Sequence, residues 1–475
     1  MQGVRKHALF LGLVLAAVAL RILVLLAYHP ALLFRGDSYM YVNNARHLVP
    51  KFYHPLVYPI FVWPWVHAHL IGAIPLVQHG LGIAVAVALY ALLRRLGAGQ
   101  WACLGAVPVL FDGYQLSLEQ FVMSETLFTA LVVLALVLVC WRDRPSSLAS
   151  VGAALTLAAA ALSRNIGVVL IVPLVVYMVV RRARAVAVVA AIATFAVPLV
   201  LYASWFKSGY GRLELSGADG YYLYGRVAIF ADCGRLRPLP DDMWLLCDPR
   251  PPSDRPGLNS YVWGTPPESL LASRAGVDRS GFLERFAIRA IVHEPGTYGR
   301  VVLHDMTHYF SPWRNTGVQD EGIRHWQFPD TYAVFAPAPN RKGIIGPGPA
   351  RRHAGGVSGF LQDYQGVAYT PGPLLLLALV LGCVGLIGLP RGARRRLRAE
   401  CALFTSAGIA VLLVPAMTAM FDFRYLLPAL ALLPPAGVLG GLVVAGRIRG
   451  SRRGDPSKLQ APFPVARERT VEPAG

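Results

Sequence analysis

Charge is scarce in this chain. Only 15% of its residues are Asp, Glu, Lys or Arg, against about 25% in soluble globular proteins. With 55% hydrophobic residues and a mean hydropathy of +0.48, that shortage argues against a soluble enzyme. Lysine is scarcer still: Lys6, Lys51, Lys207, Lys342 and Lys458 are the only five among 45 basic residues. The bias to Arg, Ala, Gly and Val suits a GC-rich genome. Nucleotide-binding motifs are missing as well. There is no Gly-x-x-x-x-Gly-Lys-Ser/Thr loop, no dinucleotide glycine fingerprint after a strand and no Gly-x-Ser-x-Gly elbow. No repeat of fixed period occurs, and no inverted halves of the kind transporters often show.

Cysteine is sparse too, at six residues. Cys103, Cys140, Cys383 and Cys401 sit in or beside apolar stretches and read as small apolar side chains. Cys233 and Cys247 are the pair in the long polar segment. On an oxidising face they can close a short disulfide loop; the alternative is two free buried thiols.

What the chain has in abundance is long apolar runs. A helix of about 20 mostly apolar residues crosses a bilayer. Ten stretches qualify as candidates: 8–28, 70–93, 99–116, 119–141, 146–163, 165–180, 185–206, 371–390, 399–420 and 425–446. The third, fifth and sixth are the weakest, and the fifth and sixth are short for straight spans. Arg5 and Lys6 precede the first stretch, which has no convincing small-residue cleavage site, so a signal anchor is expected.

The formal net charge of +19 is then a matter of topology. With the N-terminus inside, the inner turns and tail hold 21 basic residues and five acids. About sixteen of the nineteen charges therefore lie there, the positive-inside pattern repeated at every inner segment. A nucleic-acid surface would need the basic residues on one folded face, and none is expected. The long segment 207–370 is nearly balanced, with 18 basic and 16 acidic residues. The expected fold class is an all-α polytopic membrane protein with an extracytoplasmic loop domain. Residues 1–206 form a transmembrane bundle with a first outer loop at 29–69. Residues 207–370 form an extracytoplasmic segment, 371–446 the last spans and 447–475 a disordered cytoplasmic tail.

Ionisable residues in or beside spans are costly and are functional candidates. Asp37 opens the first outer loop in Arg35-Gly36-Asp37-Ser38-Tyr39. If 37–48 is helical, Asp37, Tyr41 and Asn44 share a face; the ordinary alternative is that Asp37 caps the helix. Asp112, Glu119 and Glu125 lie at the outer ends of the third and fourth stretches, with no basic residue within 16 positions. Their partners must come from elsewhere in the fold or from a ligand; the alternative is a solvated hairpin turn. Arg164 and Arg424 stand in tight outer turns, against the positive-inside trend. A lipid phosphate suits a guanidinium, which binds it bidentately. The alternatives are a local pair of Arg424 with Asp422 and snorkelling of Arg164. Arg21, late in the first stretch, either faces this cavity or snorkels. His54 lies in an extended turn, His54-Pro55-Leu56-Val57-Tyr58-Pro59. His304 and His308, one helical turn apart, suit zinc only with a third ligand.

In this order the pieces resemble the membrane-embedded GT-C glycosyltransferases, the class of protein O-mannosyltransferases, aminoarabinose transferases and actinobacterial arabinosyl- and mannosyltransferases. The matching pieces are Arg21 with Asp37-x3-Tyr41-x3-Ala45-x2-Leu48, then His54 to Pro59. They continue with Glu119-Gln120-x2-Met123-Ser124-Glu125-Thr126-Leu127-Phe128 with Leu162-Ser163-Arg164, and close with Phe423 to Pro428. The likeness covers 1–206 and 370–446, and 207–370 only loosely. It departs where Ser38 follows Asp37, since the family often has paired acids there. It departs again at Asn165, where many relatives have Pro.

The resemblance implies a bundle of about ten transmembrane helices and a polyprenyl-phosphate-linked sugar as donor. The acceptor would be a glycan, lipid or protein, and no nucleotide is needed. Asp37 would be the base, Arg164 and Arg424 would bind the donor phosphate, and Tyr41, His54, Asp112, Glu119 and Glu125 would support the cavity. A divalent cation, Mg or Mn, would bridge Asp37, with Glu119 or Asp112, to the phosphate. The single acid leaves open whether Asp37 is the base or mainly holds a metal or an acceptor. The site would face the extracytoplasmic side of the cell membrane, with both termini cytoplasmic. The rival class is a secondary transporter or lipid-linked sugar flippase, with charges near the midplane and broken helices. A membrane assembly factor is the third reading.

Overall fold

A computed structural model of the chain describes residues 7–264, 278–314, 322–387 and 395–452. Helix accounts for about 70% of it, and the described residues hold a single two-stranded sheet, so the molecule is mostly helical. In chain order the first helices are α1 (Ala8–Ala27), α2 (Arg35–Arg46), α3 (Val57–His67), α4 (Ala73–Arg95), α5 (Val107–Phe111), α6 (Gly113–Gln120), α7 (Glu125–Cys140) and α8 (Ser147–Ala161). They continue with α9 (Ile171–Val180), α10 (Ala185–Tyr210), α11 (Asp219–Ala228), α12 (Leu258–Trp263), α13 (Arg279–His293) and α14 (Pro295–Tyr309). After strands β1 (Thr331–Phe335) and β2 (Pro347–His353) come α15 (Ser358–Val367), α16 (Gly372–Ile387), α17 (Arg395–Thr418) and α18 (Leu427–Arg452).

Five helices are long and apolar enough to cross a membrane: Ala8–Ala27, Ala73–Arg95, Ala185–Tyr210, Leu397–Thr418 and Phe423–Ala445. The pair α15 and α16, bent by 48°, makes a sixth if it is one span. The stretches 125–140, 147–161 and 165–180 are apolar but shorter. The expected third span is not one helix. Residues 99–116 break into a 3-10 helix (Gly99–Gly105), α5 and the start of α6. The punctuation is chemical. Gly97 and Gly99 take positive φ, Pro108 opens α5, and Asp112 ends it in an extended conformation. Asp112 then caps α6, its Oδ1 accepting from the amides of Tyr114 at 2.9 Å and Gln115 at 3.3 Å. Glu119 and Gln120, expected to enter the fourth span, also belong to α6, and the span starts at Glu125. At the other end α18 runs on to Arg452, so helix replaces the first residues of the expected tail. Residues 453–475 of that tail, and Arg391 and Arg394 of the inner turn, lie outside the described residues.

Between α11 and α14 a second apolar core gathers around Tyr224, Leu258, Phe282 and Phe286. Cys233 and Cys247 in this region are joined in a disulfide, with Cα atoms 6.0 Å apart. Strands β1 and β2 pair antiparallel, Tyr332 facing Arg352. The last spans pack with their backbones close together. A Cβ added at Gly440 would collide with the Leu381 carbonyl, so only glycine admits this approach of α16 to α18.

A buried polar knot ties α1, α4 and α6. The Arg21 guanidinium binds both Glu119 oxygens, at 2.9 and 3.0 Å, and the carbonyls of Leu110 and Val109 at 2.9 and 3.0 Å. His79 Nδ1 lies 2.7 Å from the same carboxylate, and Gln115 donates to it at 2.9 Å. Gly82 leaves the room that this carboxylate fills. Arg21 therefore neither snorkels nor faces the cavity. Gln78, fixed by Tyr58 Oη at 2.7 Å, donates to the carbonyls of Glu119 and Phe121 at 2.8 and 2.7 Å. That anchors the extended residue Phe121, bridged to Leu32.

Breaking one partner of a buried ion pair costs about 3–5 kcal/mol, while replacing both by apolar groups is often neutral. Arg21→Leu should therefore lose about that much stability in detergent, and Arg21→Leu with Glu119→Leu should recover most of it. An unshifted melting curve for the single variant would contradict a structural role for the pair.

Candidate functional site

The first loop, α7, the turn after α8 and the turn before α18 meet at one end of the bundle. There they enclose a cavity of about 370 Å³ lined by Asp37, Tyr41, His54, Glu125, Arg164 and Arg424 among others. Six of the eight residues expected to form a site are thus brought together. Asp112 and Glu119 are not among them. Glu119 is saturated in the knot described above. Asp112 is spent on its helix cap and on the amide of Thr370, at 2.6 Å. It lines a separate apolar groove of about 730 Å³ between the 101–111 segment, α16 and α18. That groove is larger, but both oxygens of its carboxylate are engaged by backbone amides.

Asp37 does not cap its helix. Phe34 occupies the cap position, and its amide donates to Ser38 Oγ at 2.9 Å. Ser38 also donates to the Val122 carbonyl at 3.0 Å, pinning the loop to the extended strand beside it. This leaves Asp37 free to turn into the cavity from the first turn of α2, where the helix dipole favours a negative charge. Arg424 Nη1 donates to Asp37 Oδ2 at 3.0 Å, across 387 residues of chain. His54 Nε2 lies 3.6 Å from Oδ1, and its ring packs on Tyr41 at 4.6 Å. Burial alone would raise the Asp37 pKa. His54 and Arg424 overturn that and hold it well below the usual carboxylate range. Tyr41 is pushed the other way, by burial first and then by Asp37 and Glu125. It remains a phenol, sharing a hydrogen bond with Ser124 Oγ at 3.0 Å.

The arginines are held from several sides. Arg424 Nε lies 2.9 Å from Asp422 and 3.8 Å from Glu125. Its guanidinium stacks near Phe34, Trp326 and Tyr425, at 5.3, 5.5 and 5.1 Å. Trp326 Nε1 in turn donates to Asp422 Oδ1 at 2.7 Å. The local pair with Asp422 therefore forms, and Arg424 still reaches Asp37. Arg164 is in ionic contact with Glu125 and faces the Tyr425 ring at 5.5 Å. The carboxylates and guanidiniums that stand isolated in the sequence neutralise one another in the fold.

Several cavity residues carry no local sequence signal. Tyr222 and Asp219 come from α11. Asp219 is raised above the ordinary Asp range by burial, against hydrogen bonds from Ser216 at 2.8 Å and Asn165 at 3.1 Å. Asn165, the departure from the family pattern, thus ties the Arg164 turn to α11. The residues assigned to a divalent cation do not meet. Asp37 lies with Arg424 and His54, away from Asp112 and Glu119, and no group of three His, Cys, Asp or Glu side chains among the described residues is arranged to hold a metal. His304 and His308 meet edge to face at 4.4 Å, and no third ligand joins them among the described residues.

Set beside known proteins, the chain matches no family model, no curated protein and no solved structure.

The Asp37 pKa is lowered on folding, so this group stabilises the folded state above about pH 4, its unfolded value. That stabilisation fades as pH falls through the lower folded value. Arg424→Gln should raise the Asp37 pKa toward the ordinary value. The carboxylic C=O stretch of Asp37, assigned by its loss in Asp37→Asn, should then emerge at higher pH in the variant. An identical titration in both proteins would contradict the ion pair.

Proposed function

We propose that this protein is an integral membrane glycosyltransferase of the GT-C type. It moves a sugar from a polyprenyl-phosphate donor to an extracytoplasmic acceptor, with inversion at the anomeric carbon. The observation that carries this reading is the convergence of Asp37, Arg164 and Arg424 on one cavity. Its apolar walls, Phe128, Val411, Val414 and Pro428, come from the short apolar helix α7 and the long apolar helices α17 and α18. A charged chamber walled by spans fits a substrate with a phosphate head and a hydrocarbon tail. Five further pieces, α7, α8, the 165–180 stretch, the broken 99–111 segment and α16, counted as spans beside the five long helices, bring the crossings to ten. Arg95 bonds to the Trp141 carbonyl and Arg181 to that of Asp143, so the Arg-rich turns cluster at the end away from the cavity. That supports a cytoplasmic position for those turns and for both termini, and an extracytoplasmic one for the site.

The step follows from the charges. The donor phosphate binds Arg164 and Arg424, drawing them from Glu125 and Asp37. Asp37 thereby loses the cation that suppresses its basicity. The acceptor hydroxyl oxygen attacks the anomeric carbon, and its proton passes to Asp37. The bond from the anomeric carbon to the phosphate oxygen breaks, and its electron pair leaves with polyprenyl phosphate, steadied by the two guanidiniums. One base and no covalent nucleophile give inversion. The phosphoester supplies the free energy, so no nucleotide is consumed. No step is routed through a metal, because the residues assigned to hold one do not meet.

Asp37→Asn should abolish sugar transfer by purified protein in bilayers while elution and a cooperative melt are retained, the melt moved down by loss of the Arg424 pair. Near-native transfer would remove Asp37 as the base. Arg164→Ala with Glu125→Gln removes a phosphate contact without leaving an orphan buried charge. It should raise the donor KM by about 10–100-fold, the worth of one charged hydrogen bond of about 1.5–3 kcal/mol, and spare the acceptor KM. An unchanged donor KM would sink the phosphate role of Arg164.

A further inference from the structure

A second cavity, of about 530 Å³, adjoins the first. Asp37, Tyr222, Arg424 and Tyr425 line both, so the two chambers meet at the expected base. The first chamber's other walls mix polar groups, among them Asn165, Asp219 and Glu284, with apolar side chains of α7, α17 and α18. The second is closed by the short helix α12, through Asn259, Ser260 and Trp263.

Helix α12 is built to present these three side chains. Leu258, Tyr261 and Val262 are buried. Leu258 and Val262 press so closely on Gly225 of α11 that a Cβ there would meet Val262 at 2.7 Å. With one face fixed in the second core, the other face turns Asn259, Ser260 and Trp263 to the cavity. Trp263 is 49% exposed, a large apolar ring left open beside a polar chamber. Tyr53 and Tyr222 flank it with ring centroids at 5.3 and 5.9 Å. Tyr53 lines the first chamber and Tyr222 both, so the aromatic row runs from one chamber into the other.

The geometry points to a carbohydrate acceptor, seated in the second chamber with its ring on Trp263 and its hydroxyl groups on Asn259 and Ser260. A sugar ring has apolar C–H faces that lie on an indole and an edge of hydroxyl groups that need donors and acceptors. An aromatic ring beside an amide and a hydroxyl supplies both. A lipid acceptor would call for an unbroken apolar wall, and here amide, hydroxyl and carboxylate groups interrupt it. A peptide bound by strand addition would pair with a strand edge, and no strand lines the chamber among the described residues. The acceptor hydroxyl then reaches Asp37 from the second chamber, which that carboxylate also lines. This assignment rests on the transferase reading and adds the acceptor class to it. Trp263 acts here as an acceptor-binding residue.

The test uses the full chain in bilayers, with a saturating polyprenyl-phosphate sugar and a panel of hexose and pentose oligosaccharides. A Ser/Thr peptide and a diacyl lipid serve as comparison acceptors. Trp263→Ala should raise the oligosaccharide KM by about tenfold or more with kcat and donor KM nearly unchanged, and Trp263→Phe should stay within about threefold of wild type. A parallel measurement omits the donor. Saturation-transfer NMR should detect oligosaccharide binding to wild type and to Trp263→Phe, and its loss in Trp263→Ala. Binding of this kind with no transfer from any donor would support the carbohydrate site and overturn the transferase reading. Transfer to peptide or lipid, with no oligosaccharide binding, would overturn the acceptor assignment and keep the transferase. An unchanged oligosaccharide KM in Trp263→Ala would also overturn it.

Discussion

A guanidinium that is only 13% exposed must be met by anions, and Arg424 is met from three parts of the chain. Asp422 holds it locally, Asp37 reaches it from the first loop and Glu125 stands beside it at the head of α7. Trp326 steadies Asp422 through its indole N–H and stacks on the guanidinium. This one side chain thereby fixes the entry of α18, the first turn of α2 and the 323–326 segment relative to one another. Without it the Asp37 loop would lose its tie to the last helices, and the cavity would lose one of its two cations.

Among the described residues, the carboxylates of the polar knot and of the cavity are compensated differently. Glu119 is saturated. Arg21, His79 and Gln115 all engage it, and the room it fills is one that only glycine leaves at position 82. Such a group is a fastener. Asp37 and Glu125 are compensated instead by arginines that border an open cavity. A phosphate can compete for those arginines, so the compensation is exchangeable. Transport chemistry would place such groups at mid-bundle with broken helices around them. Here they sit where a loop, two turns and a helix start come together.

Hydropathy makes the helical plan legible, because a bilayer demands length and apolarity and little else. It fails at 99–116, where composition resembles a span but Gly97, Gly99, Pro108 and Asp112 break the helix. Asp37, Arg164 and Arg424 are legible as oddities, since each is a charge in a place that disfavours it. Their pairing is not legible, because Asp37 and Arg424 are separated by 387 residues and nothing local links them. Asp112 and Glu119 are equally odd by that criterion, yet one is a helix cap and the other a buried fastener. Distance from the nearest basic residue in sequence says nothing about the nearest in space. The contributions of Tyr222 and Trp263 are hidden for the same reason: each lies in the 207–370 segment, where composition is balanced and the position of a ring depends on packing.

The central claim is that the cavity at Asp37 takes a sugar from a polyprenyl phosphate. A donor screen tests it most directly. Purified wild-type protein in bilayers is given a set of synthetic polyprenyl-phosphate sugars with a mixed acceptor extract, and released polyprenyl phosphate and glycosylated product are measured together. At least one donor should yield both in equal amounts, with the anomeric configuration inverted in the product. Movement of intact donor across the bilayer, with no release of polyprenyl phosphate from any member of the set, would contradict the account.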